Sequence, residues 1–177
     1  LIKTHEDVTD QRQTEARIAH MAYHDGLTDL PNRAAFLQAL TQMIEACQNT
    51  VEQFAVLSVD LDGLKEINDV FGHAVGDKLL IEVGRRIENA AQGAVVSRIS
   101  GDEFGLIIDG PQPASALGLA DDVARALGEG FTIGGKTMRI GVTTGVAMFP
   151  DNGADAASLL ANAGAALFRA KAKMRGS

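Results

Sequence analysis

Two groups of acidic residues in the middle of the chain could hold a divalent cation. Asp60 and Asp62 flank Leu61 at the end of a short apolar run, and Asp102 and Glu103 stand between two further apolar runs. Carboxylate oxygens are the ligands that Mg²⁺ prefers, and adjacent carboxylates repel each other unless they are exposed or bound to a cation. If the strands that carry them are neighbours in one sheet, Asp60 and Asp102 converge on a magnesium site suited to phosphoryl or nucleotidyl transfer.

Each acidic group also has an ordinary structural interpretation. A strand-end aspartate such as Asp60 often caps the following helix, and polar residues in turns are commonly solvated. Taken one at a time, the motifs favour these interpretations. The metal hypothesis therefore depends on the two groups meeting in the fold.

Several residues that could contact a nucleotide accompany the acidic groups. Lys65 offers a cation close to the first group, and Asn68 and Asp77 offer polar side chains able to read a base edge. Lys171 and Arg175 are four residues apart on a predicted helix, so both can face one ligand. The same two cations could instead complement the negative end of that helix's dipole.

The composition restricts the class of protein. The 177 residues suit one domain with a short appendage, and 46% hydrophobic and 22% charged residues are typical of a folded globular protein. The 16 basic and 23 acidic residues give a net charge of −7, which predicts no nucleic-acid partner. A polyanionic ligand would therefore need a metal or a local group of cations.

The cellular compartment is indicated by the cysteine content and the polar beginning of the chain. Cys47 is the one cysteine, which excludes a disulfide framework and a cysteine-rich zinc site. The first ten residues are too polar for a secretory signal. A cytoplasmic domain is expected, and attachment of a longer protein to a membrane through another segment stays open.

Apolar periodicity predicts the elements that position these residues. Their order is helix, strand, two helices, hairpin, helix, strands and helix, which predicts an α/β (α+β) fold with a mixed, largely antiparallel sheet covered by helices. The predicted strands are 54–60, 95–99, 104–108 and 138–149. The predicted helices are 10–24, 34–47, 64–70, 77–91, 114–127 and 155–174, with a turn at 72–76 before the fourth and a turn at 134–135 before the last strand.

Five segments, taken together, resemble one protein family. They are DGLTDLPNR at 25–33, DLDGLKEINDVFGHAVGD at 60–77, RISGDEF at 98–104, TTGVAMFP at 143–150 and ALFRAKAKMR at 166–175. In this order they look like the GGDEF domain of bacterial diguanylate cyclases. The resemblance implies a five-stranded, mostly antiparallel central sheet surrounded by helices, related to the palm-like fold of nucleotidyl cyclases. It also implies condensation of two GTP molecules to cyclic di-GMP, with release of two pyrophosphates, in a two-fold homodimer.

The resemblance implies a metal and catalytic set. Asp60, the Leu61 carbonyl and Asp102 would bind Mg²⁺, with Mn²⁺ as a possible substitute and Glu103 as a further ligand. Asp102 and Glu103 would be the catalytic residues, and Asp102 would assist deprotonation of the 3′-hydroxyl.

The resemblance also implies a set of substrate-binding residues. Asn68 would read the acceptor edge of guanine, and Asp77 would read its N1 and N2 donors. The residues implied to hold the rest of GTP are Lys65, Lys171, Arg175, Gly101 and the backbone around Asp62 and Gly63.

Two departures from the family pattern bear on activity and regulation. Ser100 replaces the first glycine of the signature, where a side chain could crowd the nucleotide or strain a turn that needs a positive φ. Ala91 and Ala94 occupy the positions of an Arg-x-x-Asp motif at which many family members bind their product. Three functions follow as hypotheses: an active cyclase, a GTP-binding module without turnover that regulates an adjacent EAL phosphodiesterase domain, and a structural dimerisation unit.

The chain is predicted to have two parts. Residues 1–23 resemble the end of an upstream PAS-like sensor domain and its signalling helix, and residues 24–177 would form the GGDEF domain. An upstream sensor is therefore expected as a neighbour in a longer protein, and the presence of a downstream EAL domain stays open.

Overall fold

The apolar run after residue 53 forms the central strand of the main sheet. The structure is a computed structural model in which residues 2–175 are described, with side chains for residues 8–174. Its elements are α1 (Ile2–Tyr23), α2 (Arg33–Cys47), β1 (Phe54–Asp62), α3 (Leu64–Phe71), α4 (His73–Ala90), β2 (Val95–Ser100), β3 (Glu103–Asp109), α5 (Ala114–Gly128), β4 (Phe131–Ile133), β5 (Lys136–Met138), β6 (Gly141–Phe149) and α6 (Ala156–Arg175).

The main sheet is antiparallel and has the strand order β2-β3-β1-β6. Strand β1 pairs on both edges, and its first six residues are buried, which explains why its sequence is a continuous apolar run rather than an alternation. One face of the sheet packs against α4 and α5, and the other packs against α2 and α6. The predicted α/β class, with a mostly antiparallel sheet between helices, is confirmed.

The number of strands in the central sheet differs from the expected five. The main sheet has four strands, and β4 and β5 form a separate two-stranded hairpin. Gly134 and Gly135 both have positive φ values, of 57° and 78°, which suits the tight turn joining these short strands. Met138 ends β5 and β6 begins at Gly141, so the single strand predicted at 138–149 is interrupted.

Two helix boundaries also differ from the sequence prediction. Helix α4 begins at His73, so most of the stretch predicted as a turn at 72–76 is its first turn. The break lies at Gly72 alone, whose φ of 93° favours glycine. Helix α1 extends back to Ile2 and includes the residues that resemble the end of a sensor domain. No helix in the described part of the chain is long and apolar enough to cross a membrane.

Helix α6 lies directly against β6 because Gly145 has no side chain. A Cβ atom at Gly145 would stand 2.3 Å from the Ala163 carbonyl oxygen and 2.3 Å from the Leu167 nitrogen. This approach fixes the height of α6 above the sheet. Lys171 lies one turn beyond Leu167 and is thereby brought to the end of β1 that carries the acidic residues.

Gly145→Ala is expected to lower the free energy of unfolding by about 1–3 kcal/mol, because helix backbone must move to admit the methyl group. Urea denaturation measures the change. Gly164→Ala is the matched control, since a Cβ at Gly164 in α6 meets nothing within 4 Å, and it should preserve or raise stability. Equal stability of the Gly145→Ala variant and the unmodified protein would contradict the role of this contact.

Candidate functional site

Two carboxylates face each other where β1 and β3 meet the hairpin turn. Asp60 is in register with Glu103 on one side and with Thr143 of β6 on the other. Like charges directly opposite each other destabilise a sheet unless a cation or a hydrogen-bond donor compensates them. Here the Lys171 ammonium group donates a hydrogen bond to Asp60 Oδ2, and the Ser58 hydroxyl donates to Glu103 Oε1 at 3.2 Å. The acidic end of β1 is therefore already paired with one cation, Lys171.

Asp62 continues this acidic group along the same face of β1. Its Oδ1 lies 3.2 Å from the Lys171 ammonium nitrogen, and its Oδ2 accepts a 2.7 Å hydrogen bond from the Thr143 hydroxyl. Together with Met174, these three residues line a small cavity between β6 and α6. Arg175 is the last residue of α6, and its side chain lies outside the described part of the structure.

The donor set at this strand end can accept a hard divalent cation. Asp60 and Glu103 supply carboxylate oxygens, whereas no group of three histidine, cysteine, aspartate or glutamate side chains suitable for a metal is found within residues 8–174. Asp102 lies in the turn, and its carbonyl accepts a 3.0 Å hydrogen bond from the Leu61 amide. Mg²⁺ usually takes one or two carboxylates and fills its other positions with substrate phosphates and water, so two facing carboxylates fit it.

A second cavity, of about 500 Å³, is lined in part by the Asp102 turn. Its volume is within the range of small-molecule sites, about 300–1,000 Å³. The residues that line it are Leu64, Lys65, Asn68, Asp69, His73, Leu80, Arg98, Gly101 and Asp102. The structure thus brings four of the predicted site residues, from α3 and from the hairpin, to one cavity.

Asn68 has a buried amide oxygen without a hydrogen-bond partner among the described residues. The oxygen sits against Gly76, where an added Cβ would stand 1.8 Å away. Buried polar atoms are rarely left unpaired except where a ligand or an ordered water completes them. Asp77 follows Gly76 and is exposed in the second turn of α4, close to Asn68 but outside the residues that line the cavity.

Gly63 sets the start of α3 between the two cavities. Its φ of 94° is in the left-handed region, and an added Cβ would meet only Glu66 Oε2, at 3.9 Å. Glycine is therefore favoured here by backbone conformation rather than by lack of space. The first amide groups of α3, which lack intrahelical partners, therefore follow directly after the acidic strand end.

Comparison with known proteins identifies the family. The pattern described as "Diguanylate cyclase, GGDEF domain" matches residues 22–177. The chain belongs to this family. Its sequence is 40% identical over 96% of its length to an uncharacterized signaling protein of Caulobacter vibrioides, and 38% identical over 92% to the bifunctional diguanylate cyclase/cyclic di-GMP phosphodiesterase MucR of Pseudomonas aeruginosa. The chain spans only 21% and 24% of the lengths of these relatives.

Solved structures with high similarity are GGDEF domains. A sensory box/GGDEF family protein of Caulobacter crescentus matches with a TM-score of 0.81 and 40% identity, covering 85% of this chain and 99% of that chain. The GGDEF domain of TpbB (YfiN) from Pseudomonas aeruginosa matches with a TM-score of 0.81 and 36% identity, covering 85% and 89%. The recognition made from the five motifs is confirmed.

Sequence reasoning missed one ion pair that supports the signature turn of this GGDEF domain. Arg98 Nη1 donates to both carboxylate oxygens of Asp25, at 3.1 and 3.0 Å, and its Nε and Nη2 donate to the Gly101 carbonyl at 3.2 and 2.8 Å. Burial alone would raise the pKa of Asp25, but hydrogen bonds from Thr28 and Arg98 outweigh it and hold that pKa below its usual value. Asp25 lies in the motif DGLTDLPNR and Arg98 lies in RISGDEF. Their opposite charges were the sequence signal from which the ion pair could have been predicted.

The serine in the signature of this GGDEF domain causes no backbone strain. Ser100 is the exposed last residue of β2, and it is not among the non-glycine residues with positive φ, which are Asp29 and Asn49. The backbone at this position therefore suits any residue. The strain expected from replacing the first signature glycine is absent.

Proposed function

We propose that this GGDEF domain is an active diguanylate cyclase, which condenses two GTP molecules to cyclic di-GMP and two pyrophosphates. The observation that carries the proposal is the facing pair Asp60 and Glu103. Lys171 forms a hydrogen bond with Asp60, and a cavity lined by Asn68 is formed in part by the same hairpin turn. A nucleoside triphosphate needs both features, because its phosphates must be neutralised while its base is selected. Several curated relatives carry the name diguanylate cyclase, including TpbB of Pseudomonas aeruginosa.

Asp60 and Glu103, with the Leu61 carbonyl, are the proposed ligands of Mg²⁺, for which Mn²⁺ can substitute. The metal, when bound, would neutralise phosphate charge and polarise the phosphoryl group under attack. Asp102 lines the second cavity and is proposed to accept the proton of the attacking 3′-hydroxyl. Glu103 is in register with Asp60 and would complete the ligand pair.

The triphosphate is proposed to lie along the α6 side of the strand end. Lys171 would exchange its contacts with Asp60 and Asp62 for phosphate oxygens, which is favourable once a divalent cation takes over the carboxylates. Lys65, Arg175 and the backbone at Asp62 and Gly63 would supply the remaining phosphate contacts.

The guanine base is proposed to occupy the second cavity. The Asn68 side-chain amide would donate to the acceptor edge of guanine, and Asp77 would accept from its N1 and N2 groups. Gly101 forms the wall of this cavity at the signature turn, and its missing side chain lets the nucleotide approach the backbone.

The complete reaction needs two copies of the domain. Each copy would hold one GTP, and each 3′-hydroxyl would attack the α-phosphate held by the partner across a two-fold axis. Since the relatives named above are four to five times longer than this chain, an upstream sensor and a downstream EAL domain are proposed as neighbours in the full protein. Because GTP is an intracellular nucleotide, a cytoplasmic location is proposed for the reaction.

Incubation with GTP and Mg²⁺, followed by mass spectrometry of the nucleotides, tests the proposal. Cyclic di-GMP is the expected product, and its rate of formation should rise more steeply than linearly with protein concentration while the dimer is weak. GTP binding without product would instead indicate the regulatory module, and absence of GTP binding would indicate a structural role.

Product feedback is expected to be absent from this domain. Ala91 and Ala94 line a shallow cavity at the end of α4 in which the one charged residue, within the described part of the chain, is Glu88. Neither alanine can grip a phosphate or a guanine, and Arg98 is already engaged with Asp25. A lost bidentate arginine contact is worth a few kcal/mol, so affinity for cyclic di-GMP at this surface should be about a hundredfold below that of an intact motif.

Calorimetric titration with cyclic di-GMP measures this affinity. Asn68→Ala serves as the control, because it weakens binding at the substrate site and lies in α3, against Gly76 near the start of α4, whereas Ala91 and Ala94 follow the end of that helix. Submicromolar binding that persists in the Asn68→Ala variant would show that another inhibitory site exists.

A further inference from the structure

Ser58 is a buried hydroxyl group in the middle of an otherwise apolar stretch of β1. Its side chain is 0% exposed, and residues 54–57 and Val59 around it are apolar and buried. A buried hydroxyl costs free energy unless it is hydrogen-bonded. Ser58 meets this requirement through Glu103, whose Oε1 accepts its hydrogen bond at 3.2 Å.

The surroundings of Ser58 leave Glu103 as its side-chain partner. Ser58 is in register with Gly105 on β3 and Gly145 on β6, so neither direct cross-strand neighbour has a side chain. Glu103 is the diagonal neighbour, two residues before Gly105, and its side chain is long enough to reach across. The serine and the glutamate are thus paired by the register of the sheet.

Glu103 needs such a partner because it stands opposite another negative charge. Asp60 is its cross-strand neighbour, and the two carboxylates repel each other in the absence of a bound cation. The hydrogen bond from the Ser58 hydroxyl engages one of the two oxygens of the Glu103 carboxylate.

Ser97 is a second buried serine beside the same glycine and serves as the comparison for Ser58. It lies on β2, in register with Gly105 from the other side, and is likewise 0% exposed. Its hydroxyl has no hydrogen-bond partner among the described residues. The two serines therefore occupy similar surroundings, and they differ in their contact with Glu103.

We propose that Ser58 is a positioning residue for the metal site: it fixes the Glu103 carboxylate so that the other oxygen faces a divalent cation shared with Asp60. This inference rests on the proposed function, and it adds a residue that contacts neither metal nor nucleotide. Ser58 acts by limiting the orientations of the Glu103 side chain. The side chain therefore loses less conformational entropy when the metal binds.

Titration of the domain with Mn²⁺ tests the inference without turnover. The free Mn²⁺ concentration is measured by its electron paramagnetic resonance signal. Ser58→Ala should weaken Mn²⁺ binding about tenfold, equivalent to about 1.4 kcal/mol. Ser97→Ala is the matched control and should change the Mn²⁺ affinity less than about twofold. Deviations of this size are usual for substitutions that do not contact the site. In the activity assay, Ser58→Ala should raise the half-saturating Mg²⁺ concentration and leave the KM for GTP at saturating Mg²⁺ unchanged.

A double-mutant cycle separates positioning from a general loss of packing. In a Glu103→Gln background, Ser58→Ala should have little further effect on Mn²⁺ affinity, because the carboxylate that Ser58 orients is already gone. An additive effect in that background, or Mn²⁺ binding by Ser58→Ala as tight as that of the unmodified domain, would overturn the inference and leave the proposed function standing. Failure of the unmodified domain to bind Mn²⁺, or binding that survives Asp60→Asn, would overturn both.

Discussion

Asp60→Asn is expected to reduce the rate of cyclic di-GMP formation by about a thousandfold or more, since metal stabilisation of phosphoryl charge is worth several kcal/mol. The amide keeps the shape of the side chain but removes the negative charge that faces Glu103 and binds Lys171. A single remaining carboxylate cannot share a cation across the strand pair. The rate is measured by chromatography of the nucleotides at saturating GTP and Mg²⁺.

The fold should survive this substitution, because it removes one of two repelling charges at the end of a strand. Asp109→Asn is the matched control: Asp109 is an exposed carboxylate at the opposite end of β3, in register with Phe54. It should leave the rate unchanged. A folded Asp60→Asn variant that keeps more than a tenth of the activity would refute the assignment of Asp60.

Selection of GTP over ATP is expected to depend on Asn68 and Asp77. Asp77→Ala removes the acceptor for the guanine N1 and N2 groups, and an unpaired polar edge costs about 1–3 kcal/mol, or roughly ten- to a hundredfold in affinity. Gly76→Ala should have a similar effect by another route. Its methyl group would collide with the Asn68 amide oxygen, which lies 1.8 Å from the Cβ position, and would displace the amide from the cavity.

Calorimetric titration with GTP and ATP measures the preference in each variant. Gly118→Ala is the control for a glycine replaced within a helix, because its Cβ in α5 meets nothing within 4 Å. It should keep the full preference for GTP. Equal affinity of the unmodified domain for both nucleotides would contradict the guanine site, and an unchanged preference in both Asp77→Ala and Gly76→Ala would contradict the residues assigned to it.

The sequence predicted that two acidic groups would meet, but it did not predict which carboxylates would face each other. The sequence predicts Asp102 as a ligand with Asp60 and Glu103 as a further one, and the register places Glu103 directly opposite Asp60 with Asp102 in the turn. Strands β1 and β3 pair without a shift from Phe54 and Asp109 to Asp60 and Glu103. A register one residue different would exchange the two faces of a strand, and the register that is adopted has no clear signal in composition or periodicity.

The contacts of Lys171 depended on long-range packing that periodicity does not reveal. Its place on a helix was predictable from the Ala-rich amphipathic stretch. Its contact with Asp60 and Asp62 follows from the close packing of α6 on Gly145, some 85 residues further along the chain than the acidic pair. Gly145 was visible only as one residue of the motif TTGVAMFP, where a close approach of two backbones is one of several possible reasons for a glycine.

The ratio of pyrophosphate to cyclic di-GMP, measured in one reaction with GTP and Mg²⁺, tests the central claim most directly. Condensation of two GTP molecules across a two-fold pair of these sites releases two pyrophosphates for each cyclic di-GMP, and both products should disappear together in the Asp60→Asn variant. Release of inorganic phosphate without cyclic di-GMP, or no consumption of GTP by a domain that binds it, would contradict the claim that Asp60, Glu103 and the Asn68 cavity form a cyclase site.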